Sequence, residues 1–501
     1  MKVAGKRITK YGVALLAIVL IGFFLRIYQL GTQSIWFDEA YSIWISKLAV
    51  PQMVQTTAGD VQPPLYYFLL HYWMMVFGTS ESAVRLLSVL FGVLAIPMIY
   101  VVGRQLFNKE VGLVGALILA LSSFNIWYSQ ETRMYSLMIF LALLSMYFFL
   151  CFLQRSSLAL SAGYVLSTML LLYTHYYGVF VVIAQNIYIV TFLVLSKQRT
   201  YKLRHWVGLQ AIVLALFAPW MVVLSSQSFA GPGAWLTKPT AGTIFGTFIS
   251  YSGTAVLLAL FLGLSVFSLF AYQKVLGAMD WKAPLKSLES YSWEVRIQDL
   301  TPVYFLAVWL LAINLIPFVV SLVSTPIYVD RYVIAGSAAL YLLVAKGIRN
   351  INYKPTKLAV IGVVAVLSVA SLPSYYFGVT RSQTREATSL IDANFKNGDV
   401  VLVYPSEYQI AFNYYNNRTD VAANMISSQA TPSPNGTAVQ TGGFLLSVTG
   451  HDRVWFFCAS PRPQSENATM NFIFSALNES YAMSYIRSYY SYNVYLYEKR
   501  A

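Results

Sequence analysis

Trp36-Phe37-Asp38-Glu39-Ala40-Tyr41-Ser42 sets two adjacent carboxylates just beyond the first long apolar run of the chain. The acids stand where a membrane helix would emerge into water. Taken alone, they would equally serve to charge the first turn of a surface helix, where the dipole favours acids. The rest of the chain decides what surrounds them.

Of 501 residues, 57% are hydrophobic, 16% aromatic and only 11% charged. A soluble domain carries about 25% charged residues, so the composition is that of an integral membrane protein. Many apolar runs reach the roughly 20 residues that cross the hydrocarbon layer. The formal charge of +14 would suit a nucleic-acid partner, but its location argues against one. Residues 379–501 hold nine Lys/Arg and nine Asp/Glu, so the excess lies in the membrane half. There, basic loops set orientation, and no nucleic acid is expected. Cys151 falls in an apolar run and Cys458 in the tail, without metal-binding spacing. The basic start, apolar run and lack of a small-residue cleavage site read as a retained first helix.

Apolar segments fall near 11–30, 84–103, 111–125, 134–153, 158–174, 178–196, 206–225, 243–272, 302–323, 332–347 and 357–377. A shorter run at 63–78 begins with Pro63-Pro64 and is expected to lie along the surface or dip in. Eleven spans remain. The alternating loops then separate in charge: nineteen basic residues on one side and six on the other. The six are Arg26, Lys47, Arg85, Arg133, Lys238 and Arg331. By the positive-inside rule the richer side, with the N-terminus, is cytoplasmic. The tail is then extracytoplasmic and the membrane the plasma membrane.

The expected architecture is a polytopic α-helical membrane domain over 1–378, with a long first outer loop at 31–83, followed by a soluble extracytoplasmic α/β domain over 379–501. Residues 226–242, rich in Gly, Pro and Ser, read as a loop. The long segment 273–301 is balanced in charge and shows no chemistry. In the tail, Ala387, Leu390, Ile391 and Phe395 have helical spacing, closed by Asn397-Gly398. Residues 400–404, 444–448, 454–457 and 492–497 read as strands, and 427–443 as a polar loop.

Six acids accompany the six outer bases: Asp38, Glu39, Asp60, Glu81, Glu131 and Asp330. The middles of the spans hold almost no charge, so the reactive groups gather at one rim. Arg85, Arg133 and Arg331 each stand at the outer beginning of an inward-running helix, where a cation is mildly unfavourable. Glu81, Glu131 and Asp330 lie near enough in sequence to compensate them locally. Alternatively, helix ends and guanidinium groups bind a phosphate together. Asp60 precedes Gln62-Pro63-Pro64, which fix an extended lead into a helix. Tyr128-Ser129-Gln130-Glu131-Thr132-Arg133-Met134-Tyr135 is denser in polar groups than a short turn requires. His175, among tyrosines at an outer helix end, suits a structural hydrogen-bonder or a binding group.

In order, WFDEAYS (36–42), DVQPPLYY (60–67), SESAVRLLSVLFG (80–92) and YSQETRMYSL (128–137) resemble the membrane glycosyltransferases of the GT-C fold. The nearest group is glycosyltransferase family 39, which includes protein O-mannosyltransferases; the lipid A aminoarabinose transferases are neighbours. The resemblance is dense over residues 26–150 and looser at Pro326–Tyr332. It implies a sugar carried on a polyprenyl phosphate and transferred to an acceptor hydroxyl outside the cytoplasm. It implies Asp38 as the catalytic base with Glu39 beside it, and donor-phosphate contacts from the Gln130, Glu131 and Arg133 segment and from Arg331 and Tyr332. Relatives usually carry His-Pro-Pro where this chain has Gln62-Pro63-Pro64. The Asp-x-Asp metal pattern of oligosaccharyltransferases is missing from the first loop. No cofactor is therefore expected, with a divalent metal as the open alternative.

The mechanism so implied is an inverting transfer from a polyprenyl-phosphate sugar, a mannose-like hexose or a pentose, to a lipid, glycan or protein acceptor in the cell envelope. Asp38 would take the acceptor proton, a role worth about 10²–10⁴-fold. Arg133 and Arg331 would stabilise the leaving phosphate, and Asp60, Glu131 and His175 would hold or orient the substrate. A lipid-borne donor accords with the lack of a nucleotide fingerprint. The alternatives are a lipid-linked sugar flippase, which would need midplane sites and repeated halves, and a noncatalytic scaffold.

Overall fold

The computed structural model describes residues 10–60, 62–155, 157–195, 201–226, 236–274, 291–294, 297–423, 425–427, 448, 450–459 and 464–500. The chain divides into two compact units. One takes Met1–Tyr28, Leu48–Gly78 and Ala83–Tyr376; the other takes Gln29–Lys47, Thr79–Ser82 and Phe377–Ala501.

The protein is a multi-pass membrane protein. Among the described residues six helices are long and apolar enough to cross a bilayer: Lys10–Ile27, Glu81–Leu106, Tyr135–Gln154, Leu203–Ser225, Thr301–Val323 and Lys354–Phe377. Their outward residues are apolar; Leu16, Val222 and Val366 are all exposed, as lipid-facing side chains should be. Leu65–Phe77, Leu158–Thr174 and Gly178–Thr191 are shorter apolar helices. The run at 63–78 is thus a 13-residue helix, short of a straight crossing.

Two segments that read as single spans are broken. The 111–125 run is helix Lys109–Leu121 followed by Ser123–Ser129, bent by 62°. The 243–272 run is Ala241–Ser252 followed by Ala255–Phe267, bent by 88°. At the first break Ser122 leaves the helix and caps the next one, its Oγ accepting from the Asn125 N–H. At the second, Gly253 adopts φ +92°, a left-handed turn that suits glycine, and Thr254 caps the following helix.

A break within the buried helix bundle frees carbonyls that water does not reach. Arg26 fills this role at the first break. It is fully buried and donates to the Leu119 and Ala120 carbonyls, each at 3.1 Å, and to Ser129 Oγ at 3.1 Å. Its charge sits at the negative end of the helix dipole. Glycine at 92 allows the approach, since a Cβ there would meet Ser129 Oγ at 2.1 Å. Gln130 then ties the following turn: its Nε2 donates to the Arg26 and Tyr28 carbonyls and its Oε1 accepts from Tyr375.

Strands β1 (Ala271–Lys274) and β2 (Tyr291–Glu294) pair antiparallel. The rest of 273–301 up to residue 296, like residues 227–235 of the 226–242 loop, lies outside the described residues.

The second unit holds a five-stranded sheet of β3 (Val400–Tyr404), β4 (Met425–Ser427), β5 (Arg453–Ala459), β6 (Tyr481–Tyr489) and β7 (Tyr492–Lys499). Its order is β4-β3-β5-β7-β6. β4, β3 and β5 run parallel; β7 is antiparallel to β5 and β6. The two-residue period of a strand sends alternate side chains to two cores. Val401, Val403, Trp455 and Phe457 pack with Ile391 and Phe412 on one face. Val400, Leu402, Val454 and Phe456 pack with Ile473 and Leu477 on the other.

The helix expected around 387–395 is Thr384–Asn394, and Gly398 turns the chain at φ +94°. Three expected strands are β3, β5 and β7. Residues 444–447 of the fourth, and 428–443 of the polar loop, lie outside the described residues. β6 gives no strand signal in the sequence because most of it is exposed, so it carries no buried alternation.

Candidate functional site

The second unit presents the acids of the opening motif. Gln29–Lys47 belongs to the same compact unit as the tail, and helix Phe37–Lys47 starts with Asp38 and Glu39 in its first turn. The two acids have different surroundings. Glu39 is fully buried and forms an ion pair with Arg381 at 3.3 Å. Asp38 is only partly buried. Ahead of the helix, Gln33 Oε1 accepts from the Thr380 and Arg381 N–H groups, and Ser34 Oγ donates to Glu386. Arg385 donates to the Gly31 carbonyl and pairs with Glu81, whose carboxylate also accepts from Tyr415. Glu81 is thus engaged by Arg385, a partner the sequence did not suggest. Phe37 packs on Tyr408 with ring centres 5.0 Å apart.

The first unit brings Arg133 and Arg331 to His175. Helix Leu158–Thr174 ends at His175, and Gly178 starts the next helix. The Tyr177 N–H donates to His175 Nδ1 at 3.1 Å. The His175 ring lies 4.9 Å from that of Tyr332 and 6.2 Å from that of Tyr135. The Arg331 guanidinium sits 5.5 Å over the Tyr332 ring, and Arg133 Nη1 reaches the Tyr67 hydroxyl at 3.4 Å. Burial, reinforced by the positive charges of Arg133 and Arg331, pushes the His175 imidazole down to about 3. The ring is neutral at physiological pH. Because Nδ1 accepts, its one proton sits on Nε2.

His175 and Tyr332 also line a cavity of about 560 Å³. Its wall is apolar: Val179, Val213, Phe217, Met221 and Ile327 all contribute. Gln62 and Gln210 are its carboxamide groups. The arrangement can accommodate an apolar chain along the wall with an anionic head near the guanidinium groups.

Arg133, His175, Arg331 and Tyr332 therefore come together in one unit. Glu131 is buried in the turn before helix Tyr135–Gln154, its carbonyl accepting from the Arg133 N–H. Gln130 has its amide engaged by the protein, as described above. Asp60 follows helix Val50–Ala58 in the first unit, and its N–H donates to the Thr57 carbonyl. Asp38 and Glu39 belong to the second unit. Arg381, Arg385 and Tyr415 were not legible as partners of the first loop, since their contacts span more than 300 residues. Tyr67 and Tyr135 lie in DVQPPLYY and YSQETRMYSL, and Tyr177 is one of the tyrosines around His175; aromatic density was the available signal.

The fold is that of the GT-C membrane glycosyltransferases. ArnT from Cupriavidus metallidurans, solved bound to undecaprenyl phosphate, superposes with a TM-score of 0.61 at 12% identity, covering 97% of each chain. The oligosaccharyltransferase AglB from Archaeoglobus fulgidus, in complex with an inhibitory peptide and a dolichol-phosphate, gives 0.55 at 11% identity over 97% of this chain and 74% of that one. The mycobacterial arabinofuranosyltransferase AftD gives 0.53 at 11% identity, over 97% of this chain and 40% of its own. Residues 61–223 match the family described as dolichyl-phosphate-mannose-protein mannosyltransferase. A comparison with the curated proteins gives no significant match.

Proposed function

We propose that the protein is an inverting glycosyltransferase. It takes a sugar, a mannose-like hexose or a pentose, from a polyprenyl-phosphate lipid. The acceptor is a hydroxyl of a lipid, glycan or protein on the outer face of the plasma membrane. The observation that carries this reading is the meeting of Arg133 and Arg331 around His175, itself at the wall of an apolar cavity. A phosphate on a polyisoprenoid tail offers an anion to the guanidinium groups and a chain to the cavity. The family match, and the lipid phosphates held by ArnT and AglB, support the same donor class.

In the proposed step the acceptor oxygen attacks the anomeric carbon as Asp38 takes its proton. The bond from that carbon to the phosphate oxygen breaks, and its electron pair leaves with the polyprenyl phosphate. Arg133 and Arg331 stabilise that growing charge. Glu39, held by Arg381, fixes the first turn that carries Asp38. The loop charges support a cytoplasmic N-terminus and an extracytoplasmic tail. No residue of the reading requires a metal.

The test is Asp38→Asn assayed with a labelled polyprenyl-phosphate sugar. Transfer is expected to fall by about 10²–10⁴-fold while binding of undecaprenyl phosphate persists. Normal turnover by a folded variant would remove Asp38 from the mechanism. Failure of the wild type to bind the lipid phosphate would remove the donor.

A further inference from the structure

Two residues that line the cavity, His175 and Gln62, each bury a polar atom, Nε2 and Oε1, that has no hydrogen-bond partner among the described residues. The residues are 2% and 4% exposed, so bulk water does not solvate them well. An unmet polar atom in such surroundings is destabilising, which a fold tolerates when something else completes the bonds. The two atoms are complementary. With Nδ1 accepting from Tyr177, His175 presents an N–H donor. Gln62 presents a carbonyl acceptor.

We infer that His175 Nε2–H and Gln62 Oε1 together grip one hydroxyl of the sugar carried by the lipid donor, and so select which sugar is transferred. A hydroxyl both accepts and donates, and therefore satisfies both atoms at once. A phosphate oxygen satisfies only the N–H, and an isoprenoid chain satisfies neither. The guanidinium groups of Arg133 and Arg331 are the better anion partners nearby, which leaves the neutral pair for a neutral group. A site built around such a pair discriminates strongly, because a sugar lacking the hydroxyl leaves both atoms unmet. The inference rests on the proposed donor class and adds the determinant of its sugar.

The test compares binding of bare undecaprenyl phosphate and undecaprenyl-phosphate mannose to the full-length protein in detergent. The variants are His175→Phe, His175→Gln and Gln62→Met. His175→Phe and Gln62→Met are expected to weaken the mannosyl lipid on the order of 10–100-fold while leaving the bare lipid phosphate within about twofold. His175→Gln retains an N–H and should recover most of the loss. A series of 2-, 3-, 4- and 6-deoxymannosyl lipids should contain one member that the wild type rejects and His175→Phe no longer distinguishes. Equal losses for bare and sugar-loaded lipid would assign the pair to the phosphate and overturn the inference, leaving the proposed function intact. Unchanged affinity for every deoxy lipid would do the same. If the wild type binds neither lipid, the inference and the proposed function fall together.

Discussion

Glu39 and Arg381, 342 positions apart in sequence, form a buried ion pair that fixes the first turn of the helix carrying Asp38. Removing one partner would strand the other charge away from water, at a cost of about 3–5 kcal/mol. Arg381→Met is therefore expected to lower the unfolding midpoint sharply and to reduce transfer with it. Glu39→Met combined with Arg381→Met should recover most of the stability, since well-packed apolar pairs replace buried ion pairs readily. Thermal unfolding of the two variants in detergent measures this; equal losses in the single and double variants would refute it.

His175 makes stability depend on pH. Its folded pKa lies near 3, against 6.5 for a free imidazole. Between those values the unfolded chain binds a proton that the folded chain refuses, so stability falls as pH falls through that window. Above about 6.5 the contribution is fully present. His175→Gln should flatten the decline by up to one proton in slope, visible as unfolding midpoints recorded from pH 7 to pH 4. Parallel profiles for wild type and variant would show that the buried imidazole carries its proton.

Arg133 and Arg331 should govern the lipid phosphate. Each change to alanine is expected to weaken undecaprenyl phosphate on the order of 10–100-fold, as loss of a charged hydrogen bond does. Lysine at 331 should recover only part of this, because it lacks the planar fork. Ligand-induced thermal shifts across a titration provide the measurement, and unchanged shifts in both alanine variants would exclude them.

Arg26 should be a determinant of folding and not of chemistry. Arg26→Met would leave the Leu119 and Ala120 carbonyls without their donor, costing about 3 kcal/mol or more. Yield of folded protein and unfolding midpoint should fall, while the surviving fraction keeps its affinity for donor. A variant that is stable but cannot bind donor would reverse that assignment.

The membrane class, the tail helix and three tail strands were legible because each writes a periodic or compositional signal. Val400–Tyr404 is a continuous apolar run buried on both faces, which is how a central parallel strand reads. The breaks at Ser122 and Gly253 were hidden because the apolar run continues across them. Arg26 looked like a rim charge; it became structural only once the bend exposed carbonyls to fill. Arg133, His175 and Arg331 were legible as candidates from their places at helix ends. What separated Asp38 from Glu39 was not, because it depends on Arg381, an otherwise ordinary arginine in a tail of balanced charge.

The helix that bears Asp38 is built into the same compact body as the tail sheet, not into the bundle of spans. The tail is consequently no detachable appendage. A chimaera that exchanges it for a homologous module would have to import residues 29–47 and 79–82 as well, and truncation after Tyr376 would leave the proposed base without its scaffold.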